Sequence, residues 1–246
     1  MTHRLSYNPH LHTSRTFLVM VEALAAPPEQ FPAFDLVPPA ADGPLPHFIP
    51  RPEEIEEVRG IVRRAAGRDA VGPLILLNPN AGDLLPLRRW PPERYVELAR
   101  RLTAKYPELY IIFTGSPGEA PAAAALAAEA GSDRCLCLAG RTTLRQLLVL
   151  YGLAEVLVTN DSGPAHFAAL TRTRTVVLFG PETPALYAPI SPQACTLWAG
   201  LVCSPCVSAQ GGRRSSCRNN LCMQRITVDE VFTQVCRLYE ARSAGS

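Results

Sequence analysis

The stretch VLVTNDSGPAHFAALTRTRTVVLFGPETP, residues 156–184, constrains the fold more than any other part of the chain. Residues 156–159 are apolar and mostly β-branched, as expected of a buried parallel strand. Asn160, Asp161, Ser162 and Gly163 break the run, and Pro164 suits the first position of a helix. Residues 165–170 supply a short apolar helix and residues 175–179 a second β-branched strand, which Gly180-Pro181 ends. Polar residues therefore gather where a strand's carboxyl end meets a helix start. Open α/β sheets hold ligands at such places, and helix N-termini favour phosphate. Asp161, Ser162 and His166 crowd that mouth.

The alternation reaches back to residue 74. Residues 74–77, 110–114 and 134–138 read as strands, and residues 194–198 as a last one. Between them lie helices at 92–105, with Tyr95, Leu98 and Leu102 facing inward, and at 119–130, rich in Ala. Leu144, Leu147, Leu148 and Tyr151 give the next helix its stripe. Thr227 with Glu230 three residues on forms a capping box that opens a helix over 227–241. Upstream, residues 53–66 form a helix with acidic residues leading and basic ones trailing, which suits the macrodipole. Residues 27–52 are a Pro/Ala-rich connector. Phe17, Met20, Val21 and Leu24 give residues 16–25 a helical apolar stripe. Strands alternating with helices imply an α/β fold: a Rossmann-like parallel sheet with helices on both faces.

Hydrophobic residues make up 47% of the 246, enough for a real core. A net charge of +2 without a Lys/Arg tract argues against a nucleic-acid footprint. No apolar run approaches a membrane span, and the N-terminus lacks signal-peptide order. These features read as cytoplasmic, with reduced thiols. Cys203-x-x-Cys206, Cys217 and Cys222 share one segment, 201–223, with several arginines. Structural zinc, disulfides and free thiols are all compatible with that spacing. The second pair is wider than in the common zinc ribbon. Cys135 and Cys137 share one strand face and read as buried hydrophobes.

Four loops, 78–89, 115–119, 139–143 and 160–166, follow successive strands onto what should be one rim. Periodicity goes no further than a ligand-binding α/β domain. The wording of the motifs goes further. LLNPNAG, RRWPPERYVELARRL, FTGSPGE, AGRTTLRQLL, NDSGPAHFAA and LFGPETP occur in this order. Between residues 73 and 231 the chain closely resembles family 9 glycosyltransferases, the ADP-heptose:lipopolysaccharide heptosyltransferases. RRWP and DSGPAH are its specific motifs. That family has two Rossmann-like domains across a cleft, the GT-B fold. The matching part is the C-terminal, nucleotide-sugar-binding half, here residues 51–241.

The resemblance implies an ADP-sugar donor, a lipopolysaccharide-core or other glycan acceptor, and inverting transfer without a catalytic cofactor. It places the enzyme at the inner face of the inner membrane, with at most peripheral contact. Asp161, Ser162 and Gly163 would meet the diphosphate and adjoining sugar. Asp161 would cap the helix or accept from sugar or ribose hydroxyls, and His166 would donate to a phosphate oxygen. Arg88 would neutralise the departing diphosphate, with Arg89 solvated and Trp90 in the core. Asn80 and Gly82 would line the phosphate side, and Glu119 would take ribose hydroxyls. Thr142 would lie by the adenine or else cap a helix, and Glu182-Thr183 would touch the sugar. Cys203, Cys206, Cys217 and Cys222 are the candidate ligands of a structural zinc. Relatives carry a full N-terminal domain that supplies an Asp base. Here residues 1–50 read as its remnant plus the connector, and neither Asp35 nor Asp42 is a credible substitute. The alternative reading is a non-catalytic nucleotide-binding or zinc-stabilised interaction module. A sugar-nucleotide epimerase fits the motifs less well.

Overall fold

The structure is a computed structural model that describes residues 3–30, 45–82, 85–208, 212 and 214–243. Six strands form one parallel sheet: β1 (Leu74–Asn78), β2 (Tyr110–Phe113), β3 (Cys135–Cys137), β4 (Val156–Asn160), β5 (Arg174–Phe179) and β6 (Ala194–Trp198). Their order is β3-β2-β1-β4-β5-β6. Asn78 and Asn160 lengthen β1 and β4 because the ladders continue through them, opposite Thr159 and Leu178 respectively.

Nine helices join the described strands: α1 (Thr13–Ala23), α2 (Pro52–Ala66), α3 (Pro92–Lys105), α4 (Ala120–Glu129), α5 (Leu144–Leu153), α6 (Gly163–Ala168), α7 (Pro184–Tyr187), α8 (Leu221–Gln224) and α9 (Val228–Ser243). The sheet is covered on both faces, which is why its strands read as unbroken apolar runs. Ile75, Leu77, Ile111, Phe113, Val156 and Val158 pack on one side with α3, α4 and α9. Leu74, Leu76, Ile112 and Leu157 pack on the other with α2 and α5.

Local chemistry sets the helix ends. Pro52 opens α2, Glu53 and Glu54 lead it, Arg63 and Arg64 close it, and Gly67 ends it in the left-handed region at φ 63°. The expected capping box of α9 is present: Glu230 Oε2 accepts from Thr227 N–H at 2.7 Å, and Thr227 Oγ1 accepts from Glu230 N–H at 3.2 Å. Glu54 ties α2 to α5. Its carboxylate accepts from Arg145 Nε at 2.5 Å and from Arg51 Nη2 at 2.7 Å.

Some expected bounds shift, and other features were not foreseen. The apolar stripe of α1 faces outward, with Phe17 60% and Leu24 71% exposed, while Ala23 is buried. The helix is held at its start instead, where His12 Nε2 lies 3.0 Å from the Ala188 carbonyl. The short helix after β4 begins at Gly163 rather than residue 165, and the cysteine segment ends in a helical turn, α8. The connector contains a 3-10 turn at Pro28–Gln30, and Phe48 N–H donates to Leu170 O at 2.7 Å. Asp35 and Asp42 lie outside the described residues.

Candidate functional site

The chain runs outward from β1 to β3 and then returns to place β4 on β1's other side. Loops from the two directions part at that point, leaving a crevice at the strands' carboxyl ends. A hollow of about 730 Å³ opens there. Asn80, Gly82, Arg88, Glu119, Thr142, Asp161, Ser162, Gly163 and His166 all line it.

The joint of the site is Asn160, fully buried at the end of β4. Its Oδ1 accepts from Trp90 N–H at 3.0 Å and from Tyr95 O–H at 3.1 Å. Its Nδ2 donates to the carbonyls of Pro79 at 2.9 Å and Asn80 at 3.2 Å. One carboxamide thus locks the loop after β1 to the RRWP turn, with its donors and acceptors engaged. Sequence reasoning gave Asn160 no role. Its signal was a lone amide closing an apolar strand, a residue that must find partners once buried.

Trp90 belongs to the core, as expected. It is fully buried, meets Tyr95 edge-on, and donates from Nε1 to Ile226 O at 2.8 Å. Arg89 is half-buried rather than solvated and donates to Gly82 O at 2.8 Å. Arg88 is held loosely. Its Nη2 lies 3.4 Å from Ala81 O and its Nη1 3.8 Å from Asp161 Oδ2, while its buried Nε has no hydrogen-bond partner. Most of the guanidinium's donors are therefore available to an anion in the hollow. Asp161 faces that guanidinium and is not the helix cap. The cap position of α6 is Ser162, whose hydroxyl donates to Asn160 O at 3.2 Å and makes no cap bond. In this first turn Pro164 brings no N–H and Ala165 N–H donates to Ser162 O at 3.1 Å, so Gly163 N–H is the opening donor left without a side-chain cap. His166 follows one turn later. Its ring is open to solvent at one side, but partial desolvation first, and the nearby His12 second, lower its pKa and favour the neutral form.

The opposite wall is built by close backbone packing. Glu119 Oε2 accepts from the Ser116 N–H at 2.7 Å and the Ser116 hydroxyl at 2.8 Å, so one of its oxygens serves as a cap. A Cβ on Gly115 would stand 2.7 Å from Asn80 Nδ2, and one on Gly140 2.9 Å from Pro117 Cα. Thr143, not Thr142, caps α5: its Oγ1 accepts from Gln146 N–H at 3.2 Å. Thr142 is left to the hollow. Glu182 is buried and lines the hollow, whereas Thr183 caps α7, accepting from Ala185 N–H at 3.3 Å. Thr13 and Phe17 of α1, Leu144 and Leu147 of α5, and Tyr187 complete the walls. Apolar periodicity marked Phe17, Leu144 and Leu147 as helical, but nothing in it told rim from core.

The cysteine segment is pinned to the turn after β5. Ser204 Oγ donates to Gly180 O at 2.5 Å, and Cys206 N–H to Pro181 O at 2.9 Å. Cys203, Cys206, Cys217 and Cys222 are free thiols. Cys206 and Cys217 lie close enough to Cys222 to help raise its pKa, though burial is the larger cause. Among the described residues no three His, Cys, Asp or Glu side chains are grouped to hold a metal ion.

The sequence pattern of glycosyltransferase family 9 (heptosyltransferase) matches residues 50–214, more than half of the chain. The chain belongs to glycosyltransferase family 9. Over 158 residues it is 32% identical to lipopolysaccharide heptosyltransferase 2 of Salmonella typhimurium, covering 63% of this chain and 44% of the relative. The Escherichia coli protein of the same name is 30% identical over the same shares. This family 9 chain thus spans about half the length of those relatives. Among solved structures, E. coli ADP-heptose lipopolysaccharide heptosyltransferase II superposes with a TM-score of 0.65 at 23% identity, covering 88% of this chain and 58% of that one. A family 9 glycosyl transferase from Veillonella parvula gives 0.68 at 20% identity, over 97% and 62%. The Rossmann-like half of a GT-B fold is shared throughout. Among the described residues of this family 9 chain no helix is long and apolar enough to cross a membrane.

Proposed function

We propose that this chain is the donor-binding part of a glycosyltransferase that moves heptose from an ADP-activated donor to a lipopolysaccharide-core acceptor. The observation that carries this reading is the hollow itself. Nine residues chosen from separate motifs line one cavity at the strand-order switch, with a loosely held arginine on its wall. In this reading the diphosphate lies between Arg88 and the first turn of α6. The ribose lies toward Glu119 and the base beside Thr142. Transfer inverts the sugar and proceeds without a metal. A base removes the acceptor's proton, the acceptor oxygen bonds to the anomeric carbon, and the bond from that carbon to the β-phosphate oxygen breaks. The electron pair leaves with ADP, whose charge Arg88 and the Gly163 N–H at the start of α6 stabilise. The acceptor's base lies outside this hollow in the same reading. Asp161 faces Arg88, and Glu119 is partly committed to Ser116.

Calorimetric titration with ADP tests it. Wild-type protein binds, and Arg88→Ala or His166→Ala weakens binding on the order of 10- to 100-fold, the range for losing a hydrogen bond to a charged group. Absence of binding at millimolar ADP would reject the donor site.

A further inference from the structure

Arg88 is aimed by its backbone, because among the described residues its side-chain polar contacts are the long ones to Ala81 and Asp161. That backbone is a single 3-10 turn, Pro86–Arg88. One side chain grips it from outside the hollow. The carboxamide nitrogen of Asn220 donates to Leu87 O at 3.1 Å and to Arg89 O at 2.9 Å, the two carbonyls that flank Arg88. Asn220 stands immediately ahead of α8, and α8 is firmly seated. Arg94 Nη1 donates to Gln224 O at 2.7 Å and to Ile226 O at 2.6 Å, and Met223 is fully buried against Gly180. Only a group with two N–H donors on one short arm can hold both carbonyls at once.

We infer that Asn220 is a positioning residue for Arg88, holding the turn so that the guanidinium points at the diphosphate. The inference rests on the donor-site reading above. It also gives the cysteine-bearing segment a function, since its last residues brace the leaving-group side of the hollow. Asn220→Asp keeps the shape but replaces the two-donor NH2 with a carboxylate oxygen that repels both carbonyls. Asn220→Ser keeps a single donor.

The test is calorimetry with ADP and with AMP on wild type, Asn220→Ala, Asn220→Asp, Asn220→Ser, Arg88→Ala and the Asn220→Ala/Arg88→Ala double variant. Asn220→Ala is expected to weaken ADP about 10-fold, within the range of coupling between residues in direct contact. Asn220→Asp loses at least as much, and Asn220→Ser less. AMP, lacking the second phosphate, loses little. In the Arg88→Ala background, removing Asn220 costs nothing more. The inference is overturned if Arg88→Ala weakens ADP while Asn220→Ala does not. It is equally overturned if the two losses multiply, or if ADP and AMP weaken alike. Should Asn220→Ala fail to fold, Asn220→Ser carries the same comparison. A wild-type chain that binds no ADP removes the donor reading and this inference with it, and that result is visible before any variant is made.

Discussion

Gly140 and Gly115 show how single residues shape the hollow without touching a ligand. At Gly140 φ is 70° and an added Cβ would meet Pro117 Cα, which is backbone and cannot yield. Gly140→Ala should destabilise the fold by about 1–3 kcal/mol, measured by denaturant unfolding. At Gly115 the obstacles are the Asn80 amide and the Glu119 side chain, both on the hollow's wall. Gly115→Ala should therefore weaken ADP several-fold and cost less stability than Gly140→Ala. The reverse ranking would mean that the two loops are assembled differently. His166 adds a pH signature. Its lowered pKa leaves it neutral, and a phosphate beside it would favour the proton, so ADP should bind more tightly as pH falls below neutrality. His166→Ala should flatten that slope. The polar residues that line the hollow were legible because charged and hydroxyl types stand out after apolar strands. Asn160 and Asn220 were not, since an amide's partners are set by packing distant in sequence.

Among the elements, strands and capped helices were legible because their signals are local: β-branched runs, capping boxes, prolines at first positions. The outward stripe of α1 was not. Periodicity shows that a helix has an apolar face but not what covers it. The α2–α5 pair makes a sharper prediction. Arg145 first, then Arg51, holds the Glu54 carboxylate down to about 2. A depressed carboxylate adds stability above its unfolded value of 4.5, and loses it as pH falls through its folded value. Glu54→Gln should lower Tm at pH 7, and the gap to wild type should close as pH falls from 4.5 toward 2. A gap that stays constant over that window would assign the bracket's contribution to shape alone. The thiols divide by element too. Cys203 and Cys206 are exposed and should react quickly with a disulfide reagent. Cys135, which burial pushes up to about 11, and buried Cys222 should react slowly until the pH is raised. If Cys203, Cys206, Cys217 and Cys222 are all inert until a chelator is added, the segment holds a metal after all.

For the molecule as a whole, the sheet order sets the loops after β1, β2 and β3 against those after β4 and β5, and Asn160 fastens the loop after β1 to the end of β4 before any ligand arrives. A site assembled this way exists in the folded chain and vanishes in the unfolded one. Ligand binding must then appear as stability. At a free ADP concentration about 100 times Kd the gain is about 2.7 kcal/mol. For a chain of this size that corresponds to roughly 5–10 °C in Tm. Arg88→Ala, compared at the same ADP concentration, should recover only part of the rise. The rise should also grow with the logarithm of ADP concentration, because each tenfold increase above Kd adds about 1.4 kcal/mol. A Tm unmoved by ADP would mean that the hollow, though lined by the right residues, does not hold the nucleotide. A rise equal in wild type and Arg88→Ala would place the nucleotide away from the switch point.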